Sequence, residues 1–257
     1  MPPSLPPELL DLIVDHSCDE PTILKTCCLL SKAWVPRTRR HLFAHVAFDS
    51  EESSGRSIES WMDVFPDPSN SPAHHTRSLA ISDLPALTAS TTEGIAWVRS
   101  FNSIVQLSID TNLSGGGEVS LVQLHGLSPI LKSLRVDRSS LPLSEIFSLT
   151  CSFPLLEDLS LHTIESSHRG LFSDPTDAPL TSPKLTGTLL LGGYPPAVIG
   201  RLLNLSGGLR FTNISTGCLD GYFGLVVDLV SKCSDTLESL CINYFSLGAL
   251  PFGSCGW

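Results

Sequence analysis

Leu131-Lys132-Ser133-Leu134-Arg135-Val136-Asp137 and Leu156-Glu157-Asp158-Leu159-Ser160-Leu161-His162 are two statements of one phrase. Each sets a leucine, skips two residues, and then alternates apolar and polar side chains. Alternation of this kind marks a strand whose paired apolar residues face a core. The apolar pair recurs along the chain, at Leu79/Ile81, Leu107/Ile109, Leu134/Val136, Leu159/Leu161, Leu189/Leu191, Leu209/Phe211 and Leu240/Ile242. The steps between first leucines are 28, 27, 25, 30, 20 and 31 residues. In four copies a further apolar residue stands three places earlier, at Ile104, Leu131, Leu156 and Leu237. Helix-compatible stretches lie between strands, at 94–98, 143–149, 197–205 and 219–232. A strand-plus-helix unit of this length cannot bury its apolar strand face alone. Neighbouring units must stack, with parallel strands side by side and helices outside.

This pattern resembles the leucine-rich repeat, in an irregular form. The repeat reading covers residues 76–257 and implies an α/β solenoid with the strands on a concave face. The position three after each strand's second apolar residue is often Asn in such repeats. Here it holds Leu84, Asn112, Ser139, Ile164, Tyr194, Ile214 and Phe245, so only Asn112 and Ser139 fit an amide-bridging role. Period two turns the residues flanking each apolar pair toward the open face. They include Gln106, Ser108 and Asp110, then Ser133, Arg135 and Asp137, then Asp158, Ser160 and His162, and further on Gly208, Arg210 and Thr212. Alternating acid and base on such a surface suits a protein or peptide partner better than a small apolar ligand. The expected target-binding residues are Asp110, Arg135, Asp137, Asp158, His162 and Arg210.

Ahead of the repeats, three short helix patterns are packed into one small unit. Ser4 is placed to cap the first, Glu8 lies in its first turn, and Leu9, Leu12 and Ile13 follow at i, i+3 and i+4. Pro21 and Thr22 open the second, whose apolar positions are Ile23, Leu24, Cys27, Cys28 and Leu30. Pro36 opens the third, with Arg39 and Arg40 outside and Leu42 and Phe43 inside. So short a unit buries little core and is expected to lean on a partner.

Residues 4–46 resemble the F-box in the form common in fungal proteins. The resemblance rests on Leu5-Pro6, Glu8-Leu9, Ile13, Leu24, Cys27, Leu30-Ser31, Trp34 and Leu42-Phe43 taken in order. Ser17-Cys18 stands where that family closes its first helix with an apolar residue. The resemblance implies docking on a Skp-type adaptor, and through it on a cullin scaffold, by Leu5, Pro6, Leu9, Ile13, Leu24, Leu30 and Trp34. The chain then divides into an F-box-like unit at 1–48, a linker with one amphipathic helix at 49–75 (Ile58, Trp61, Met62, Phe65), and the repeats.

Charge narrows the functions. Of 257 residues, 42% are hydrophobic and 16% charged, enough apolar material for a core. Residues 1–45 are neutral, so the net charge of −10 lies wholly in 46–257 and disfavours a phosphate backbone. The eight cysteines form no Cys-x-x-Cys and no secretory signal precedes them, so an intracellular protein, cytoplasmic or nuclear, with reduced thiols is expected. No apolar run is long enough for a membrane span.

Catalysis is not expected, and neither is a cofactor or metal. The sequence has no Gly-x-Ser-x-Gly, no His-Glu-x-x-His and no phosphate loop. Gly115-Gly116-Gly117 lacks the lysine of a phosphate cradle, His74-His75 lacks further ligands, and Asp158 with His162 has no nucleophile beside it. The leading expectation is a non-catalytic substrate receptor of a Skp-cullin-F-box type ubiquitin ligase. The alternative is a leucine-rich-repeat interaction scaffold whose front helices are only a cap. The apolar tail after Ile242, with Phe252 and Trp257, leads to one more expectation: the chain stops short of a complete horseshoe, and 236–257 is its least protected part.

Overall fold

The computed structural model describes residues 6–49, 57–82, 97–110, 121–137, 141–162, 183–193, 196–219 and 222–245. Eight strands form one parallel sheet in chain order, β1 (His45–Phe48), β2 (Ser78–Ile81), β3 (Gln106–Asp110), β4 (Ser133–Asp137), β5 (Asp158–His162), β6 (Thr188–Leu191), β7 (Asn213–Leu219) and β8 (Ser239–Phe245). Each strand pairs only with its sequence neighbours, a topology compatible with an α/β solenoid. The expected strands at Leu79, Leu107, Leu134, Leu159, Leu189 and Leu240 are all present.

The copy at Leu209/Phe211 is a correction. Leu209 makes an isolated bridge to Leu185, and the strand begins four residues later, with Ile214 and Thr216 paired to Leu189 and Leu191. Phe211, fully buried, takes the place that Ile104, Leu131 and Leu156 hold ahead of their strands. With this register the steps of 20 and 31 become 25 and 26, from Leu189 to Ile214 to Leu240. The sequence hid this because Thr216 fills an inward position. Threonine suits a strand, but its hydroxyl must be satisfied, here by donation to the Gly217 carbonyl at 3.1 Å.

The inward rows are the core. Leu134, Val136, Leu156 and Leu185 are inaccessible to solvent, and three helices bury their apolar sides in the same cluster. Of these, α5 (Leu143–Cys151) contributes Ile146 and Leu149, α6 (Pro196–Leu203) Ile199 and Leu202, and α7 (Phe223–Lys232) Val226 and Leu229. Successive units also share a carbonyl. Arg77 O accepts from both Val105 N and Gln106 N, Val105 O from Lys132 N and Ser133 N, and Lys132 O from Glu157 N and Asp158 N. The tail from 246 onward lies outside the described residues, as do Ser4, Leu5 and the consensus positions Asn112 and Ser139.

Three front helices precede the sheet: α1 (Pro7–His16), α2 (Pro21–Leu30) and α3 (Val35–Leu42). The N-cap of α1 is Pro6, with no side-chain cap, rather than the expected Ser4. Both α1 and α2 pack on α3, and α3 packs on the 3-10 turn Pro72–His75. Two pieces of the sheet's core come from outside the expected repeat region. β1 lies within the stretch read as the front unit, and Ile58 of α4 (Ile58–Val64), within the expected linker, is buried against it. An aromatic cluster joins these parts, because Trp61 meets Phe43, Phe48, Phe65 and Phe101 at centroid distances of 4.9–5.8 Å.

Candidate interaction surfaces

The front helices invert the usual disposition of an amphipathic helix. In α1 the side chains at helical spacing, Leu9, Leu12 and Ile13, are exposed, while Val14 is buried. In α2, Leu24 and Cys27 turn inward, and Ile23, Leu29 and Leu30 remain outside. Leu29 is 87% exposed and Leu30 68%. Of the residues expected to meet an adaptor, Pro6, Leu9, Ile13 and Leu30 are exposed, and Trp34 is half-buried just ahead of α3. Leu5 lies outside the described residues. Leu24 is a correction: at 1% exposure it is the core of the three-helix unit and unavailable to a partner. Leu12, Ile23 and Leu29 are exposed residues not included among those expected to dock. Leu12, three residues after Leu9, and Ile23, seven before Leu30, were marked by helical spacing, whereas Leu29, adjacent to Leu30, was not.

Besides the buried Val14, a polar cluster ties α1 to α3. Asp15 sits between two side chains of α3: Arg37 Nε donates to Oδ1 at 2.8 Å, and His41 Nε2 lies 2.7 Å from the same oxygen. Arg37 Nη2 also donates to Oδ2. Hydrogen bonding to Arg37, then to His41, holds the Asp15 carboxyl well below the usual carboxylate range. The Asp15 carboxylate also raises the Arg37 guanidinium pKa. Arg37 thus ties α3 to α1.

On the opposite side of the sheet from the core, registry gathers five of the six expected target-binding residues. Asp110, Asp137 and His162 are successive partners across β3, β4 and β5, and Arg135 and Asp158 lie on the same face. Arg135 Nε donates to Asp137 Oδ2 at 2.6 Å, whereas Asp137 Oδ1 and Ser160 Oγ are buried without a partner. Arg210 is a correction: the shift of β7 leaves it ahead of the strand, where its N–H donates to Leu185 O, and Ser215 takes its place in the row.

Asp158 is engaged within the fold. The shared-carbonyl pattern breaks at β6, where Gly187 N still reaches Glu157 O but Thr188 N donates instead to Asp158 Oδ1, at 2.6 Å. Gly187 is required by this arrangement, since a Cβ there would overlap that oxygen. Gly192 similarly leaves room for the His162 ring. The face therefore has a central polar strip of mixed charge and, beside it at β6, an exposed Leu190 in register with Ser160 between Thr188 and Gly192.

Among the described residues no group of His, Cys, Asp and Glu is arranged to hold a metal ion, and no helix is long and apolar enough to cross a membrane. Cys27 and Cys233 are buried free thiols, and Cys18 and Cys241 are exposed ones. Compared with known proteins, the chain matches no family model and no curated sequence.

Proposed function

We propose that the chain is a non-catalytic substrate receptor of a Skp-cullin-F-box type ubiquitin ligase. In this reading the front helices dock an adaptor, and the strand face opposite the core holds a protein target. The observation that carries it is the exposed apolar set on α1 and α2, namely Leu9, Leu12, Ile13, Ile23, Leu29 and Leu30. These side chains lie in the segment that resembles an F-box, and at a well-packed interface a few such anchors at its centre would carry most of the binding energy. The receptor would act by proximity. Tethering a target beside the charged ubiquitin carrier raises its effective concentration without any chemistry in this chain. Leucine-rich repeats on the sheet side would supply the target surface through Asp110, Arg135, Asp137 and His162, with Asp158 held back by its structural bond.

The test is direct binding of the full chain to a purified Skp-type adaptor by isothermal titration. Micromolar or tighter association is expected, and a Leu9→Asp/Ile13→Asp variant is expected to lose it with its melting temperature nearly unchanged, because both positions are already exposed. No association of the wild-type chain at micromolar concentration would overturn the ligase reading. So would a double variant that binds as well as wild type.

A further inference from the structure

Histidine aside, only four side chains on the eight strands carry a formal charge, and they lie on three neighbouring strands. They are Asp110 on β3, Arg135 and Asp137 on β4, and Asp158 on β5. Asp110 and Asp137 are partners in register, so two carboxylates stand opposite each other on strands about 4.8 Å apart. Like charges so placed repel unless a cation stands with them. Arg135 meets that need in part. Its Nε donates to Asp137 Oδ2, its side chain stays 56% exposed, and Asp137 Oδ1 is buried without a partner. His162, in register with Asp137, does not supply the donor. Its ring lies against β6, where a Cβ on Gly192 would overlap Nδ1. Ser160 Oγ, diagonal to Asp137 across β4 and β5, is also buried without a partner. Buried polar atoms are nearly always paired, so two unpaired oxygens on one face point to donors supplied from outside the fold.

We propose that this strip holds a segment of the protein target that carries a lysine or arginine, whose N–H donors meet Asp137 Oδ1 and Ser160 Oγ as Arg135 turns aside. The inference rests on reading this face as a target surface, and not on adaptor docking. Charge complementarity selects the occupant. An acidic segment would face three carboxylates with one guanidinium to offset them, and a wholly apolar one would leave both oxygens unmet. An ammonium has three donors and a guanidinium five, enough for both acceptors.

The surroundings fit such a side chain. Leu190, 38% exposed, stands beside Ser160 in register and offers an apolar surface to the aliphatic stem. Arg135 is the movable part. Its pairing with Asp137 is made from an exposed side chain, and exposed ion pairs contribute little, so an incoming cation displaces it readily.

Fluorescence anisotropy with the full chain and no adaptor tests this. The probes are two labelled pools of nine-residue peptides, uncharged except for a fixed central arginine in one and glutamate in the other. The arginine pool should bind about tenfold more tightly than the glutamate pool. Asp137→Asn, which keeps an acceptor for Arg135, should remove most of that preference. Ser160→Ala, which breaks no hydrogen bond of the fold, should weaken the arginine pool about threefold. Arg135→Gln should instead tighten it, a direction that a purely structural ion pair would not give. Glu59→Gln/Glu238→Gln removes two exposed acids elsewhere and should change nothing. Equal binding of the two pools would overturn the proposal, as would an Asp137→Asn variant that keeps the preference. So would an equal loss in the Glu59/Glu238 control, which would show attraction to net charge alone. Failure here with adaptor binding intact overturns the basic-target inference and leaves the ligase reading standing. Loss of adaptor binding with the arginine preference intact does the reverse.

Discussion

Asp158→Ala removes the acceptor that takes the Thr188 N–H where the shared-carbonyl pattern breaks. The bond is 2.6 Å long, part-buried and made to a carboxylate. Hydrogen bonds to charged groups contribute about 1.5–3 kcal/mol, and the deleted acceptor leaves a strand N–H without its partner. A loss of about 2 kcal/mol corresponds to a melting temperature lower by roughly 4–8 °C in a chain of this size. Asp158→Asn keeps an oxygen in place and should recover most of it. Gly187→Ala attacks the same bond from the other side, because its Cβ overlaps Oδ1 and forces the carboxylate to turn away. Beyond Asp158, the Cβ would meet the Glu157 carbonyl carbon at 3.2 Å, a tight backbone contact that remains when Asp158 is removed.

The two changes therefore share one cost. In the Asp158→Ala background, Gly187→Ala should cost far less than alone, giving a coupling of about 1–2 kcal/mol in a double-mutant cycle. Urea unfolding followed by tryptophan fluorescence, with thermal melts in parallel, measures all four corners. Additive costs would refute the argument and return Asp158 to the list of free target-binding carboxylates.

Two further outcomes concern pH. Because Arg37 and His41 depress the Asp15 pKa in the folded state, its contribution is full above the unfolded value of about 3.9 and lost as pH falls through the folded one. Hydrogen exchange in α1 should therefore accelerate selectively below about pH 4, and Asp15→Asn should erase that dependence. Burial lowers the pKa of His75, reinforced by His74, Arg40 and Arg39, and burial lowers that of His125 against an opposing pull from Glu145. Both rings favour the neutral form when folded, so their contribution is full above about pH 6.5 and lost as pH falls toward the lowered values. Denaturant midpoints should thus fall between pH 7.5 and 5.5, and a His75→Gln/His125→Gln variant should show a flatter profile.

The strands were legible because a parallel sheet with one buried face writes a period-two record of itself wherever the inward residues are aliphatic. Six of seven expected pairs lie on strands for this reason. The seventh failed where two records overlapped. Leu209 and Phe211 are buried like strand residues, yet they belong to the turn that leads into β7. Ile214 and Thr216 carry the strand with only one aliphatic side chain between them. Spacing could have resolved the choice, since Ile214 restores the period that Leu209 breaks. β1 was read with the front helices because Val46 and Phe48 follow them directly, and nothing in four residues distinguishes a cap from a first strand.

The candidate sites were less legible, and the reason is geometric. A pattern of leucines on a helix states that one side is apolar but not which neighbour receives it. In α2, Leu24 and Leu30 have the same chemistry and both look like docking residues. The packing of α2 on α3 buries the first and strands the second in solvent. The same limit applies to the sheet. Alternation correctly sends Asp158 and Asp137 to one face, but it cannot say that Asp158 bonds sideways to the next strand while Asp137 keeps one oxygen without a partner. Charge on a surface is therefore a guide to recognition only after the fold's own hydrogen bonds have been subtracted. On the face proposed to hold a target, Asp137 pairs with His162 and Arg135 with Ser160 across β4 and β5, and Arg135 and Asp137 already bond to each other at 2.6 Å.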